Sequence, residues 1–320
     1  MKTSFHEPAM VKAVVEFLAP GPGRVVVDAT VGGGGHAEAV LSWAGPGGEN
    51  VELLIGIDRD PEALAEAGKR LWRFGARAIL RRGSYEGVRE ILKAEGLNTV
   101  SGILLDLGAS RHQLTAAARG FSLKADADLD MRMDQGAGET AAELLARLPE
   151  RELAGLLWEY GEERAARKIA RAIIARRESG RPVARTAELR ELVERAAPGH
   201  RSGLTPPAAR TFMALRIAVN DELNRLERAL AAIPDCLEPG GRVAAISYHS
   251  LEDRLVKSAF NREAKGCVCP PGLPRCVCGR KPRLRVLTRR PLRPGADEVE
   301  RNPAARGAKL RAAERLEDRP

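Results

Sequence analysis

The chain has 320 residues, enough for about two domains. Hydrophobic residues make up 44% of it and charged residues 30%, which is typical of a globular protein and argues against a disordered one. It has no run of about 18 apolar residues, so the sequence predicts no membrane span. Lys12 and Glu16 interrupt the apolar start of the chain, so we expect no secretion signal. The five cysteines, four of them within twelve residues, do not suit a disulfide scaffold, and we expect a reducing, cytoplasmic location.

The net charge of +9 is concentrated near the C-terminus. Residues 257–320 hold 17 Lys and Arg against 7 Asp and Glu, whereas residues 1–256 hold 35 and 36. A basic segment of this kind favours a polyanionic partner, nucleic acid first. The alternative is a solvated tail, and we expect the charged, alanine-rich stretch from Asn302 to be partly mobile.

Short apolar runs alternate with helical patterns over the first 110 residues. Strands are predicted at residues 24–28, 53–58, 78–80 and 102–106, with helices between them. Parallel strands joined by helices in right-handed crossovers produce this alternation. The sequence therefore predicts an α/β fold with a parallel sheet.

A purely helical region follows, and then the α/β pattern resumes. Amphipathic helices are predicted at residues 140–148, 151–160, 162–178 and 187–197. Beyond them we predict a long helix over residues 206–233, a turn at 238–241, and strands at 243–249 and 284–288. This pattern predicts a helical domain at residues 113–204, inserted between two parts of one α/β domain at residues 1–112 and 205–320.

A glycine cluster follows the first predicted strand, with Gly32, Gly34, Gly35 and His36 coming after Asp28. The glycine spacing also fits a dinucleotide fingerprint, and Asp58 follows at the sequence distance expected of an acid that holds a ribose. However, the acid that closes the first strand suits a cationic ligand better than a diphosphate. We therefore favour S-adenosylmethionine, which carries an ammonium and a sulfonium, and we expect its ribose to bind at Asp58. An NAD site and a glycine loop without a ligand remain the alternatives.

Three further segments carry candidate functional residues. Asp106 ends the fourth predicted strand, where open α/β sheets bind their ligands. Tyr248 and His249 end the strand at 243–249 and are suited to stacking on a base and to hydrogen bonding. The acid-rich loop over residues 126–134 lacks the glycine and terminal Glu of a calcium loop, so a substrate-facing loop is the preferred interpretation and a solvated loop the alternative.

The cysteines at the C-terminal end are spaced Cys267-x-Cys269-x6-Cys276-x-Cys278. Four thiolates can form a tetrahedral zinc site, although CxC is a less common spacing than CxxC. Reduced thiols in a loop are the alternative, so we assign no metal from the sequence. Cys236 stands alone and is expected in the core.

Several segments together resemble the bacterial small-subunit ribosomal RNA cytosine-N4-methyltransferase family (RsmH, also called MraW). The most specific are RGFSLKADADLDMRMD at residues 119–134 and ISYHSLEDRLVK at 246–257. DATVGGGGH, GIDRDP and GILLDLG also match, as do the segments at residues 160–174 and 211–223. The resemblance implies a class I, Rossmann-like S-adenosylmethionine-dependent methyltransferase sheet with an inserted all-helical domain. It also implies cofactor contacts at Gly34, Gly35, His36, Asp58, Tyr85, Asp106 and Gln113.

The sequence departs from the family pattern in two places. The loop before Gln113 is altered, and Tyr85 stands where the family usually has Phe, so that the ring for stacking on adenine is retained. The cysteine segment is found in some members of the family but not in all.

The expected reaction is methyl transfer from S-adenosylmethionine to the exocyclic N4 of a cytidine in small-subunit ribosomal RNA, either naked or in the assembled subunit. We assign Asp106 and His249 as catalytic. We expect the substrate to bind at Phe121, Arg132, Tyr248 and Ser250. Methylation at carbon 5 would need a cysteine near the fourth strand, and none precedes Cys236. An RNA-binding assembly factor without catalysis is the other alternative, and a homodimer is a reasonable expectation from the family.

Overall fold

The computed structural model describes residues 8–19, 21, 23–44, 50–110, 113, 116–198, 205–265, 267, 269–270, 274–275 and 277–317. Within them the chain forms two compact units, one of residues 1–108 with 223–320 and the other of residues 109–222. The helical unit therefore interrupts the sequence of the α/β unit. It extends past the boundary we expected at residue 204, because the helix Pro207–Asn220 contributes Phe212, Ala214 and Leu215 to its core.

The α/β unit contains a seven-stranded sheet in the order β3-β2-β1-β4-β5-β7-β6. Strands β1 to β5 are parallel, and β7 is antiparallel to both of its neighbours. The strands are β1 (Val25–Asp28), β2 (Leu53–Asp58), β3 (Ala78–Arg82), β4 (Val100–Asp106), β5 (Leu237–Ser247), β6 (Leu284–Val286) and β7 (Lys309–Arg315). The strand order reverses between β1 and β4, as in doubly wound folds. The predicted α/β fold with a parallel sheet is confirmed.

Helices cover both faces of this sheet, and the strands are therefore apolar on both faces. The helices of the α/β unit are α1 (Val11–Leu18), α2 (Gly35–Ser42), α3 (Pro61–Leu71), α4 (Val88–Ala94), α10 (Glu222–Cys236), which begins in the helical unit, α11 (Ser250–Lys265) and α12 (Ala296–Arg301). Residues of α4, α10 and α11 pack with Val27, Ile55 and Ile103 in one core. Residues of α1, α2 and α3 pack with Val26 and Leu54 in another. Alternate residues of one strand therefore enter opposite cores.

The helical unit has its own apolar core. Its helices are α5 (Ala141–Arg147), α6 (Glu150–Gly161), α7 (Ala166–Glu178), α8 (Thr186–Ala196) and α9 (Pro207–Asn220). Leu153, Leu157, Ile169 and Ile173 are fully or almost fully buried in this core. None of the helices in the described part of the chain has the length and apolar character that crossing a membrane requires.

Three sequence expectations about elements are corrected. The long helix predicted over residues 206–233 is two helices, because Asp221 takes a left-handed conformation with φ +52°. The turn predicted at 238–241 lies within β5, where the pairing with β4 shifts between Leu237 and Arg242. The C-terminal stretch expected to be mobile contains β7, whose Leu310 and Ala312 are fully buried.

The segment RGFS…LDMRMD is held together by hydrogen bonds within the helical unit. The buried Arg119 side chain donates to the carbonyl of Met133, and the Met131 N–H donates to the carbonyl of Arg119. The amide of Asn220, at the end of α9, accepts from the Met133 N–H and donates to the Met131 carbonyl. These bonds connect the segment to residues 211–223, which also match the family pattern.

Gly120 packs against the backbone of Asp128 and Asp130 in the same segment, and its substitution tests this packing. A Cβ on Gly120 would lie 2.5 Å from the Asp128 carbonyl oxygen, and its φ of +73° disfavours any other residue. Gly120→Ala should therefore lower the free energy of unfolding by about 3 kcal/mol, from overpacking and backbone strain together. Gly138→Ala is the control, since its φ is +79° but no atom lies within 4 Å of the added carbon. The control should cost only about 1 kcal/mol, and equal losses in urea unfolding would contradict the packing argument.

Candidate active site

Three acidic residues end neighbouring parallel strands and lie at one edge of the sheet. Asp28 ends β1, Asp58 ends β2 and Asp106 ends β4, and we refer to them as the strand-end acids. Because β1 lies between β2 and β4, the strand-end acids converge at the point where the strand order reverses. This is the position at which open α/β sheets bind ligands.

Asp58 fixes the glycine loop. One carboxylate oxygen accepts from the Gly32 N–H at 2.9 Å, and the other accepts from the Asp60 N–H at 2.9 Å. Gly34 follows in a left-handed conformation, and α2 begins at Gly35. A Cβ on Gly35 would lie 2.8 Å from the Pro8 ring, so this position has room only for glycine. The glycine loop is thus packed closely against Asp58 and Pro8.

Asp28 is the least satisfied of the strand-end acids. Its side chain is buried, and one oxygen accepts from the Thr30 N–H at 3.2 Å while Oδ2 has no hydrogen-bond partner. Burial, helped by the charges of Asp106 and Asp58, raises the pKa of Asp28 to about 8 from its ordinary value of 3.8. Burial likewise raises the pKa of Asp58, against the two backbone hydrogen bonds that it accepts. A buried carboxyl group with an unsatisfied oxygen next to two other acids is suited to a cationic group, and the binding of a cation at Asp28 stays a prediction.

Asp106 is held from three sides. Its backbone N–H donates to Thr30 Oγ1 at 2.6 Å, and the Tyr248 hydroxyl donates to its Oδ1 at 3.0 Å. Its Oδ2 lies 3.5 Å from His36 Nδ1, and the other ring nitrogen of His36 contacts the Ala9 carbonyl at 2.8 Å. Burial, together with the Asp106 charge, raises the pKa of Tyr248, so the phenol stays protonated and donates. The structure therefore brings together Asp106, His36 and Tyr248, which lie far apart in the sequence.

His249 and Ser250 lie at the junction of β5 and α11. His249 Nε2 is 3.0 Å from Glu252 Oε1, but the contact lacks the angle of a hydrogen bond. The buried Glu252 carboxylate accepts the backbone N–H of Tyr248 at 2.9 Å and so fixes the turn that carries the tyrosine. Sequence reasoning assigned no role to Glu252, although it belongs to the HSLEDR segment. Ser250 is the first residue of α11.

Tyr85 follows β3, which lies next to β2 in the sheet. Its ring is partly buried against the core that contains Ile55 and Ile57. The adjacent Ser84 has a buried hydroxyl without a hydrogen-bond partner. Sequence reasoning did not identify Ser84, and only its unsatisfied hydroxyl indicates that a ligand atom belongs there.

The remaining predicted site residues belong to the helical unit. Gln113 is buried, and its Oε1 accepts from the Ser110 N–H at 3.0 Å. Phe121 lies within the helical core, which gives its ring a packing role, and contact with a base stays a prediction. Arg132 forms a two-point ion pair with Asp130, at 2.8 and 2.9 Å. Burial opposes the charge on Asp130, but the Arg132 guanidinium outweighs it and holds the pKa of that carboxyl below its usual range.

The acid-rich loop over residues 126–134 is paired with arginines. Besides the Asp130–Arg132 pair, Arg185 contacts Asp126 at 2.8 Å and Asp128 at 3.1 Å. Carboxylates that are paired with guanidinium groups are poor candidates for calcium ligands. The ion pairs instead connect the loop to the start of α8.

The doubly wound sheet, the glycine loop and the strand-end acids define a Rossmann-like methyltransferase. A family model described as the MraW methylase family matches residues 3–316. The chain belongs to this family.

Curated relatives match over their full length. Ribosomal RNA small subunit methyltransferase H from Trichlorobacter lovleyi is 50% identical over 318 residues, covering 99% of this chain and 100% of that protein. The protein of the same name from Geobacter sulfurreducens is 51% identical over 315 residues, covering 98% and 100%. A solved rRNA methylase from Streptococcus thermophilus aligns with a TM-score of 0.42 at 12% identity, over 96% of this chain and 94% of that one. This likeness is too low to add to the family assignment.

The state of Asp28 gives a pH-dependent prediction. A cation binds the ionised carboxylate, and with a pKa of about 8 the free protein holds Asp28 mostly protonated at neutral pH. The affinity for S-adenosylmethionine should therefore rise about tenfold from about pH 5.5 to about pH 6.5, a range in which the ligand's ammonium stays charged. Asp28→Asn should bind more weakly, with an affinity that does not change over this range. Calorimetric titration measures both, and parallel curves for the two proteins would show that Asp28 does not meet the cation.

Proposed function

We propose that this protein transfers a methyl group from S-adenosylmethionine to the exocyclic N4 of a cytidine in small-subunit ribosomal RNA. The membership of the MraW methylase family and the names of the full-length relatives support this activity. The observation that carries the proposal is the position of Asp106, an oriented and nearly buried carboxylate beside the glycine loop. S-adenosylmethionine, when bound, supplies the electrophilic methyl group.

The chemistry of the acceptor explains why an oriented carboxylate is needed. The lone pair of the cytosine amino group is delocalised into the ring, so the amine is a weak nucleophile. A carboxylate oxygen of Asp106 that accepts one N–H directs the amine and offsets the positive charge that develops on its nitrogen. After transfer the nitrogen must lose one proton, and Asp106 is the nearby group able to receive it. Alignment of the two reactants supplies a large part of the rate enhancement.

Tyr248 and His36 act through Asp106. The Tyr248 hydroxyl occupies Oδ1, and His36 faces Oδ2, so the carboxylate has a fixed orientation before substrate binds. We therefore assign Tyr248 as a positioning residue, which differs from the base-stacking role that the sequence suggested. We retain His249 as a candidate for proton transfer and Phe121, Arg132 and Ser250 as candidate contacts to the base.

The cofactor contacts that we propose are those of the sequence analysis. Asp28 holds the ammonium, Asp58 the ribose and Tyr85 the adenine, with the loop from Gly32 to His36 beside them. The unsatisfied oxygen of Asp28 and the unsatisfied hydroxyl of Ser84 support this arrangement, because each is a buried polar atom that a ligand would satisfy. An NAD enzyme would place a diphosphate against the buried Asp28, a carboxyl group that offers no positive charge to a diphosphate whether it is protonated or ionised.

We propose a cytoplasmic location, where ribosomal RNA and the small subunit are found. Either naked RNA or the assembled subunit is the substrate, and methylation of each in parallel distinguishes them. A homodimer is proposed from the family resemblance alone, and light scattering of the purified chain tests it.

The role of Asp106 is tested with two variants. Asp106→Ala should abolish methylation of small subunits from cells lacking this protein, as measured by mass mapping of the ribosomal RNA. Tyr248→Phe keeps the ring but loses a hydrogen bond to a charged group, so kcat should fall roughly tenfold to a hundredfold with little change in KM for RNA. Tyr160→Phe, in α6 of the helical unit, is the matched control and should retain full activity. Full activity of Asp106→Ala with cofactor bound would remove Asp106 from the mechanism.

Three arginines after β6 test the RNA-binding role of the basic segment. Arg289, Arg290 and Arg293 are exposed, and no ion pair is found for them among the described residues. Replacing all three with Gln should weaken RNA binding and reduce the slope of log K against log salt by up to about 2 for single-stranded RNA. Substitution is preferable to deletion, because the segment includes β6 and β7 of the sheet.

The matched control removes the same charge from helix α7 and the residues before it, by replacing Arg164, Arg167 and Lys168 with Gln. We expect this control to bind RNA with an unchanged salt slope. Equal losses in the two triple variants would contradict the assignment of RNA binding to the C-terminal segment.

A further inference from the structure

Three cysteines near the C-terminal end come together in space. The sulfur atoms of Cys267, Cys269 and Cys278 all lie within 4.8 Å of one another, and we refer to these residues as the cysteine cluster. The sulfurs of Cys267 and Cys278 are 3.9 Å apart. The cluster is distant in the sequence from the strand-end acids, and the proposed methyl transfer does not use it.

The spacing of these sulfurs matches the dimensions of a metal site. A disulfide joins its sulfurs at about 2.05 Å, far shorter than the distance observed here. Zinc–sulfur bonds of about 2.3 Å in a tetrahedron place two sulfurs about 3.8 Å apart. The measured separation of 3.9 Å between Cys267 and Cys278 agrees with that edge.

The chain on both sides of the cluster is anchored at one point. Cys267 follows α11 by two residues, and its N–H donates to the Lys265 carbonyl at 2.9 Å. Glu263, buried in the last turns of α11, accepts hydrogen bonds from Arg280 and from Arg283, the latter at 2.7 Å. The chain thus leaves α11 and returns to it within two residues of the first and last members of the cluster.

The anchor is electrostatically strong. Burial opposes the charge on Glu263, but the guanidinium groups of Arg283 and Arg280 outweigh this effect and hold the pKa of the carboxyl below its usual range. The Arg283 N–H also donates to the Glu263 carbonyl at 2.9 Å, next to the start of β6. Since both ends of the loop are fixed, the entropy cost of bringing its thiols to one metal ion is reduced.

We propose that the cysteine cluster binds a structural zinc ion through three thiolates. Each thiol releases its proton as its bond to zinc forms, and no oxidation or reduction takes place. A structural zinc ion has four ligands, and Cys276, the fourth thiol of this segment in the sequence, lies outside the described residues. The zinc links the end of α11 to the segment that leads into β6, and so stiffens the connection before the exposed arginines of the C-terminal segment.

The test measures metal in the full-length chain, purified under reducing conditions without chelators. Elemental analysis should find about one zinc per chain in the unchanged protein and less than about a tenth of that in the double variant Cys267→Ser/Cys278→Ser. Cys236→Ala is the matched control: it removes a buried cysteine at the end of α10 and should keep the zinc. Zinc content that is the same in the double variant and the control, or iron in place of zinc, would overturn the proposal.

A second measurement does not depend on the folding of any variant. The unchanged chain, stripped of metal and kept reduced, is titrated with Co²⁺. Thiolate-to-cobalt charge-transfer absorption, with the visible bands of tetrahedral cobalt, should grow until about one equivalent is bound, and Zn²⁺ should remove it. Absence of this absorption would show that the cluster is not a zinc site. Disulfides between the cluster cysteines in protein purified under reducing conditions would show the same.

Discussion

The site depends on the burial of carboxyl groups at one edge of the sheet, and the charges of Asp106 and Asp58 add to the effect of burial on Asp28. Because β1 lies between β2 and β4, the strand-end acids converge whatever their side chains prefer. Asp28 responds by holding a proton until about pH 8, whereas in the unfolded chain it ionises near its ordinary pKa of 3.8. The free energy of unfolding therefore falls as pH rises between these two values, by up to about 1.4 kcal/mol per pH unit. A bound cation stabilises the buried, ionised carboxylate and so offsets this cost. A neutral or anionic ligand does not, so the burial of Asp28 favours a positively charged ligand.

Asp106, at the same edge of the sheet, has more hydrogen-bond partners than Asp28. Asp106 receives a hydroxyl donor from Tyr248 and faces the ring of His36, while its backbone binds Thr30. These contacts fix the direction of the Asp106 carboxyl group. Two acids at the ends of adjacent strands can thus have separate tasks, one as a partner for a cation and one as an oriented acceptor for an amine. Their environments, and not their residue type, separate these tasks.

The parallel strands and the strand-end acids could be predicted from the sequence, because β1, β2 and β4 are each an apolar run that ends at an acid. Glycines and acids at such ends also carry the functional signal. The same reasoning missed β7, since the alanines and charged residues of Lys309–Arg315 are typical of a solvated tail. Its arginines are satisfied by partners distant in the sequence, as in the ion pair of Arg311 with Asp253. Thr30 and Glu252 were missed for a similar reason, because their roles depend on backbone groups that only the folded chain brings near.

The net charge of the basic C-terminal segment overstates the number of cations that are available to bind a polyanion. Arg311 pairs with Asp253, Arg285 with Glu314, and Arg283 with Glu263, so these cations stabilise the sheet and the end of α11. A guanidinium held in a two-point ion pair would have to give up that partner before it could bind a phosphate. The arginines that follow β6 carry no such cost. The charge excess in the sequence therefore indicates the class of partner, while the ion pairs in the structure indicate which of the cations are left to meet it.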